Sequence, residues 1–140
     1  MMKLRYFLMP MLFVMLTAQF CIAEGVVQEI RFPRGSNGTT ISGSVIRGEA
    51  DLYYLTAKAG QKMKITISSV EKNAVFQLYE PGNSVGKDED GIMEVNGKTL
   101  PGAEEAMRWE GALPATGKYL ILVGGTRGNA TYKIKIDIAP

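Results

Sequence analysis

The turn around Arg127 carries the residue types best suited to binding a partner. It reads Gly124-Gly125-Thr126-Arg127-Gly128-Asn129 and follows a fully apolar run at residues 120–123. An apolar run predicts a buried strand, and the glycines after it predict a turn at the surface. A β-sandwich displays binding groups on such turns. We therefore predict that Arg127, Thr126 and Asn129 contact a partner; the alternative is that Arg127 is a solvated charge at a hairpin tip.

Residue types needed for catalysis are scarce in this chain. There is no histidine, and the one cysteine, Cys21, lies in a segment that we predict to be removed. Their absence removes the commonest general base, the thiol nucleophile and the usual zinc ligands. The segment Gly35-Ser36-Asn37-Gly38 does not fit the Gly-x-Ser-x-Gly nucleophile elbow. Two carboxylates could hydrolyse a glycoside, but 14 acidic residues on a small surface form such pairs by chance. We predict a protein that is not an enzyme and holds no cofactor.

An acidic cluster, Asp88-Glu89-Asp90, lies in a long glycine-rich segment at residues 80–106. Carboxylates are ligands for calcium, but the cluster lacks the ordered ligand spacing of a recognised calcium loop. We expect a solvated acidic loop and no metal site, with calcium binding as the alternative. Residues 92–95 of the same segment predict an extra short strand.

The first 23 residues indicate an export signal. Lys3 and Arg5 give a basic start, residues 7–18 are almost wholly apolar, and Cys21-Ile22-Ala23 offers small residues for a signal peptidase. We predict cleavage before Glu24 and a periplasmic protein. The apolar run is shorter than the roughly 20 residues of a membrane helix, so we predict no membrane insertion. A lipid anchor on Cys21 is the alternative, although bulkier residues stand just ahead of it.

The size and the net charge of the mature chain limit which classes of partner it can bind. Removing 23 of the 140 residues leaves 117, the usual size of a single domain. The 16 basic residues lose Lys3 and Arg5, which leaves 14 against 14 acidic residues and no net charge. A neutral chain without a basic run has no electrostatic footprint for nucleic acid, and we predict no nucleic-acid partner.

Apolar residues recur with period two, which predicts half-buried strands. About eight strands are expected, at residues 26–32, 39–46, 52–58, 62–68, 74–79, 107–113, 119–123 and 132–138, with glycine and proline turns between them. Trp109 is expected in the core or at an interface rather than as a sugar platform. The sequence thus predicts an all-β fold: residues 24–140 form a single antiparallel β-sandwich or jelly-roll-like domain.

Strand parity predicts which loops meet. If neighbouring strands run antiparallel throughout, the turn of Arg127 lies at the same end as residues 34–38, where Arg34 and Asn37 would join it in one binding surface. Thr116 would lie at the opposite end, because the intervening strand spans roughly 20 Å.

The order of short motifs resembles the bacterial periplasmic inhibitors of g-type lysozyme, over nearly the whole mature chain. The motifs are Ser42-Gly43, Asp51-x-Tyr53, Ala57-Lys58-Ala59-Gly60-Gln61, Leu113-Pro114-Ala115-Thr116-Gly117-Lys118-Tyr119 and Thr126-Arg127. The Ala-Gly-Gln and Leu-Pro-Ala-Thr-Gly-x-Tyr runs are also similar to the pre-peptidase C-terminal type of β-sandwich, an accessory module of secreted bacterial enzymes. The resemblance implies a rigid sandwich whose loops plug the cleft of a lysozyme and thereby protect peptidoglycan.

The resemblance also implies which residues bind. Arg127 matches an arginine in the inhibitors' loop, and Thr116 falls where they carry a serine. A guanidinium can form two parallel hydrogen bonds with a catalytic carboxylate of a lysozyme. The sequence departs from the pattern at Thr131, where a second arginine is expected, and at Gly48-Glu49, which replaces an aromatic residue. We predict a lysozyme inhibitor, with lysozyme of the g-type as partner; the alternative is a non-catalytic accessory, carbohydrate-binding or envelope-binding module.

Overall fold

The computed structural model describes residues 25–140, and this part of the chain consists of strands and loops without a helix. Within it, therefore, no helix has the length and apolar character needed to cross a membrane. The predicted signal peptide, residues 1–23, lies outside the described residues.

Within residues 25–140, ten strands build two facing sheets and one hairpin. The sheet here called sheet A has the strand order β1-β3-β9-β5, sheet B has the order β2-β10-β4-β8, and β6 pairs with β7. Every pair is antiparallel except β1 with β3. The predicted β-sandwich is confirmed. The strands are β1 (Val27–Glu29), β2 (Gly38–Val45), β3 (Ala50–Ala57), β4 (Lys62–Ser69), β5 (Ala74–Tyr79), β6 (Ser84–Lys87), β7 (Met93–Asn96), β8 (Arg108–Ala112), β9 (Gly117–Gly125) and β10 (Ala130–Ala139).

The core lies between sheets A and B and follows the alternation seen in the sequence. Met63, Ile65 and Ile67 of β4 are buried, while Lys62 and Lys64, which alternate with Met63, are exposed. Alternate residues of a strand point to opposite faces of its sheet, which separates apolar from charged side chains. Trp109 is a core residue, as expected, and its indole nitrogen donates to the carbonyl oxygen of Pro101 at 2.9 Å.

A return pass of the chain between β5 and β8 changes the direction of the later strands. Residues 98–106 run antiparallel along β5, with bridges from Phe76 to Ala106 and from Tyr79 to Thr99. After this pass, β8 runs in the same direction as β5, because both start at the same end of the sandwich. The prediction that the Arg127 turn shares an end with residues 34–38 is wrong. It assumed that the predicted strands alternate in direction one after another, and it left out the pass at residues 98–106, which reverses the direction of every later strand.

The two ends of the sandwich carry different loops. At the end here called the Arg127 end, loops 46–49, 70–73 and 126–129 meet, because Ala50 pairs with Gly124 and Ala74 pairs with Gly125. At the other, here called the Thr116 end, loops 30–37, 58–61 and 113–116 meet. There Ala57 pairs with Gly117.

Candidate functional site

Loop 126–129 lies between the other two loops of the Arg127 end and is bonded to both. The side-chain oxygen of Asn129 accepts from the Arg47 backbone N–H at 2.8 Å. On the other side, the carbonyl oxygen of Asn73 accepts from the Thr126 N–H at 2.8 Å, and the Asn73 amide donates to the Asn129 carbonyl at 2.9 Å. The loop is therefore held in one conformation by its neighbours on either side.

Glycines on both sides of Thr126-Arg127 allow the loop to fold this tightly. A Cβ on Gly125 would lie 2.5 Å from the carbonyl oxygen of Gly128, closer than real Cβ contacts. Gly128 itself has a φ of +70°, a left-handed conformation that side chains other than glycine adopt at a cost. The glycines at positions 125 and 128 are thus explained by the tight backbone conformation of the loop itself.

The guanidinium of Arg127 is exposed and positioned. Its Nη2 donates to the backbone carbonyl of Glu71 at 2.9 Å, which lays the side chain against loop 70–73. Among residues 25–140, no carboxylate forms an ion pair with it. A guanidinium has five N–H donors, so most of the donors of Arg127 remain available to a partner.

A buried polar network lies behind the Arg127 end and joins the two sheets. Tyr132 of β10 donates to Asp51 of β3 at 2.6 Å, and its hydroxyl is bonded to that of Tyr53 at 2.6 Å. The second carboxylate oxygen of Asp51 accepts from the Val26 N–H at 2.8 Å. A Cβ on Gly43 would lie 2.5 Å from the Tyr132 hydroxyl, so only glycine leaves room for this tyrosine.

This network gives two of the sequence motifs, Ser42-Gly43 and Asp51-x-Tyr53, a structural role that does not require a binding partner. Gly43 of the first motif supplies the space that Tyr132 needs, and Asp51 and Tyr53 of the second supply its hydrogen-bond partners. Burial, together with the hydrogen bonds to Asp51 and Tyr53, raises the pKa of Tyr132 above its usual value, and burial likewise raises the pKa of Tyr53. Both phenols therefore stay neutral at physiological pH, and the network stabilises the fold.

The Thr116 end holds the other three residues that the sequence analysis assigned to binding. The Thr116 hydroxyl accepts from the Ala59 N–H at 2.9 Å and so joins two loops of this end. The Asn37 carbonyl accepts from the Ile138 N–H at 2.8 Å, and Arg34 is exposed in the same loop as Asn37. Thus Arg127, Thr126 and Asn129 lie together, whereas Thr116, Arg34 and Asn37 lie at the opposite end. The predicted separation of Arg127 from Thr116 agrees with the register of β9.

The Arg127 end also contains residues of the neighbouring loops that were not predicted from the sequence. Asn73 is 5% exposed and is the residue that fixes loop 126–129. Val70 and Ile46 are exposed apolar side chains in loops 70–73 and 46–49. A valine within the polar turn Ser68-Ser69-Val70-Glu71-Lys72-Asn73 was the available signal, but the proximity of this turn to Arg127 depends on strand order.

The acidic cluster forms the turn of the β6–β7 hairpin. One carboxylate oxygen of Asp88 accepts from the N–H groups of Asp90 at 2.9 Å and of Ile92 at 2.8 Å. Such a side-chain bond to the following backbone closes a turn. In the part of the chain that the structure describes, no group of three acidic residues is placed to hold a metal ion.

Comparison with known proteins finds relatives over nearly the whole chain. No protein-family model matches it. A curated inhibitor of g-type lysozyme from Escherichia coli (strain K12) is 28% identical over 141 residues, covering 98% of this chain and 98% of that protein. The crystal structure of Aeromonas hydrophila PliG, a periplasmic lysozyme inhibitor of g-type lysozyme, is 31% identical with a TM-score of 0.62. That match covers 84% of this chain and 100% of the other.

A more distant neighbour shares only the architecture. The pre-peptidase C-terminal domain of a collagenase from Bacillus anthracis is 19% identical, with a TM-score of 0.51, over 81% of this chain and 96% of that one. At this level of identity the similarity shows a common fold, which explains why some motifs are shared with that group.

Proposed function

The chain belongs to the family of periplasmic inhibitors of g-type lysozyme, and from this premise we propose that its Arg127 end enters the substrate cleft of a g-type lysozyme and blocks it. The resemblance seen in the sequence is confirmed by these relatives. Their role is inhibition, so the chain acts as a binding protein and not as an enzyme. The mature protein is periplasmic, as its relatives are.

The observation that carries the choice of the Arg127 end is the position of the guanidinium. It is exposed, it is oriented by the Glu71 carbonyl at 2.9 Å, and its loop is bonded on both sides. Lysozymes cleave glycosidic bonds with carboxylic residues in a cleft. Arginine binds a carboxylate with two parallel hydrogen bonds, and a loop that is already ordered loses little entropy when it binds.

The Thr116 end is the second candidate surface, and it lacks such an arrangement. Arg34 is an exposed cation on a turn there, but no hydrogen bond to another described residue orients its guanidinium. Thr116 already uses its hydroxyl to accept from Ala59. The alternative function, an accessory module, is less well supported, because the pre-peptidase C-terminal domain is only 19% identical whereas the curated inhibitor matches 98% of both chains.

The test is a cell-wall lysis assay with g-, c- and i-type lysozymes and purified residues 24–140. We expect inhibition of the g-type enzyme, and an Arg127→Ala variant that is weaker by a factor of ten or more, about 1.4 kcal/mol. Arg34→Ala is the matched control, since it removes an exposed arginine at the opposite end.

Two results would contradict the proposal in different ways. Absence of inhibition of any lysozyme at micromolar protein would remove the proposed function altogether. Loss of inhibition in Arg34→Ala with full inhibition in Arg127→Ala would instead move the binding surface to the Thr116 end.

A further inference from the structure

Exposed apolar side chains are unevenly distributed over the two ends of the sandwich. Of the large apolar residues in the described chain, Val70 is 99% exposed and Ile46 is 56% exposed. Both lie in loops of the Arg127 end, and none of the exposed large apolar residues lies in the three loops of the Thr116 end. Single exposed apolar residues are ordinary, so what matters here is where these two lie relative to Arg127.

Val70 and Ile46 stand on opposite sides of the loop that carries Arg127. On one side, Glu71, the residue after Val70, accepts the hydrogen bond from the Arg127 guanidinium. On the other side, Arg47, the residue after Ile46, donates its backbone N–H to Asn129. The two exposed apolar side chains therefore lie in the two loops that are hydrogen-bonded to either side of the Arg127 loop.

The turn that presents Val70 has a defined conformation. The Ser69 hydroxyl accepts from the N–H groups of Asn73 at 3.0 Å and Ala74 at 3.3 Å, and the Ser69 carbonyl accepts from the Lys72 N–H at 3.2 Å. Lys72 has a φ of 52°, which is unfavourable for a residue with a side chain and persists only where the surroundings impose it. Val70 is thus held outward by a fixed turn.

We infer that Val70 and Ile46 are partner-contact residues that pack against apolar walls of the lysozyme cleft and exclude water from the contact between Arg127 and a carboxylate. This inference rests on the proposed function. Apolar contacts around a central charged residue exclude solvent from it, and removal of water strengthens the electrostatic interaction inside. The partner chemistry that fits is a carboxylate recessed between apolar surfaces.

The test compares serine variants of exposed apolar residues by their inhibition constants against a g-type lysozyme. Val70→Ser and Ile46→Ser are each expected to weaken inhibition by about fivefold or more. Ile92→Ser is the matched control, because Ile92 is 53% exposed and lies in the β6–β7 hairpin, outside the loops of the Arg127 end. It should change inhibition by less than about twofold.

A double variant tests the exclusion of water directly. If Val70 shields the Arg127 contact, Arg127→Ala should cost a smaller factor in the Val70→Ser background than in the wild type, because the two residues act on the same interaction. Val70→Thr, which keeps the shape of the side chain and adds a hydroxyl, should fall between wild type and Val70→Ser. Thermal unfolding of each variant checks that these surface substitutions leave the fold intact.

The outcomes separate this inference from the proposed function. If the wild type inhibits and Arg127→Ala does not, while Val70→Ser and Ile46→Ser match Ile92→Ser, the apolar contacts are refuted and the proposed function stands. If wild-type protein neither binds nor inhibits a g-type lysozyme, both are refuted. Full additivity of Val70→Ser and Arg127→Ala would overturn the shielding of Arg127 by Val70.

Discussion

At the scale of single residues, Arg127 is suited to its proposed role by shape as well as by charge. The hydrogen bond from Nη2 to the Glu71 carbonyl restrains the position of the guanidinium. A guanidinium presents paired donors in one plane, whereas the ammonium of lysine is a flexible point charge. This position therefore favours recognition of both oxygens of a carboxylate, a selectivity that charge alone does not provide.

Arg127→Lys separates these two contributions. The variant keeps the positive charge but loses the paired donors and the same bond geometry to Glu71. We expect inhibition of g-type lysozyme to weaken by about fivefold, roughly 1 kcal/mol, which is less than the loss in Arg127→Ala. Inhibition constants at low and high salt measure this. Equal inhibition by Arg127→Lys and wild type would mean that charge alone is recognised.

At the scale of elements, one buried asparagine connects the β4–β5 loop to the β9–β10 loop. Asn73 bonds to Thr126 through its carbonyl and to Asn129 through its side chain. Neither contact is visible in the local sequence pattern, because the two loops are more than fifty residues apart. The order of the Arg127 loop thus depends on a side chain from another loop that also connects the two sheets.

Asn73→Ala tests this dependence. Removal of the side-chain amide leaves the Asn129 carbonyl without its donor, and we expect a loss of about 1 kcal/mol in the free energy of unfolding. Inhibition should weaken as well, because the loop would have to be ordered on binding. Urea unfolding and the lysis assay measure the two effects.

The matched control is Asn83→Ala. Asn83 also donates from its side chain to backbone carbonyls, those of Glu80 and Lys118, but it lies outside the Arg127 end. A similar loss of stability with unchanged inhibition is expected for this variant. Should both variants lose inhibition equally, the effect would be one of global stability and not of loop order.

At the scale of the whole molecule, the two sheets are joined by apolar packing and by the buried bonds of Tyr132. This tyrosine belongs to sheet B, whereas Asp51 and Tyr53 belong to sheet A. Among the described residues, no buried side-chain nitrogen or oxygen lacks a hydrogen-bond partner. Removing one member of the network would leave another buried and unpaired, which is costly.

The raised pKa of Tyr132 predicts a loss of stability in alkali. Above the usual tyrosine pKa of about 10, the unfolded chain releases this proton while the folded chain keeps it. The contribution of Tyr132 is complete below about pH 10 and declines above it by up to about 1.4 kcal/mol per pH unit. Tyr132→Phe should therefore show a shallower decline above pH 10. At pH 7 it should be less stable by about 1–3 kcal/mol, because Asp51 loses its donor.

Urea unfolding at pH 7 and at several values above pH 10 measures both effects. Tyr54→Phe is the control, since Tyr54 follows Tyr53 in β3 and its hydroxyl has no hydrogen bond to another described residue. It should stay within about 0.5 kcal/mol of wild type at pH 7. Parallel alkaline curves for wild type and Tyr132→Phe would show that the buried phenol does not govern this decline.

Much of the fold and part of the candidate site could be predicted from the sequence. Period-two alternation, as at Met63, Ile65 and Ile67, determined which segments are strands and which of their faces are buried, because side chains of a strand alternate between faces. The glycines around Thr126-Arg127 determined a tight surface turn. The lack of histidine left the chain without an obvious catalytic base. The order of the short motifs determined the family resemblance.

Only the tertiary structure decided which loops meet. Backbone pairing between strands uses the same N–H and C=O groups at every residue. The residue pattern of a strand therefore predicts which of its faces is buried, but not which strand pairs with it. The return pass at residues 98–106 reversed the expected parity and placed Arg127 beside Val70 and Asn73 instead of Arg34 and Asn37. The proposed binding surface is therefore a product of long-range strand order, which local residue patterns do not contain.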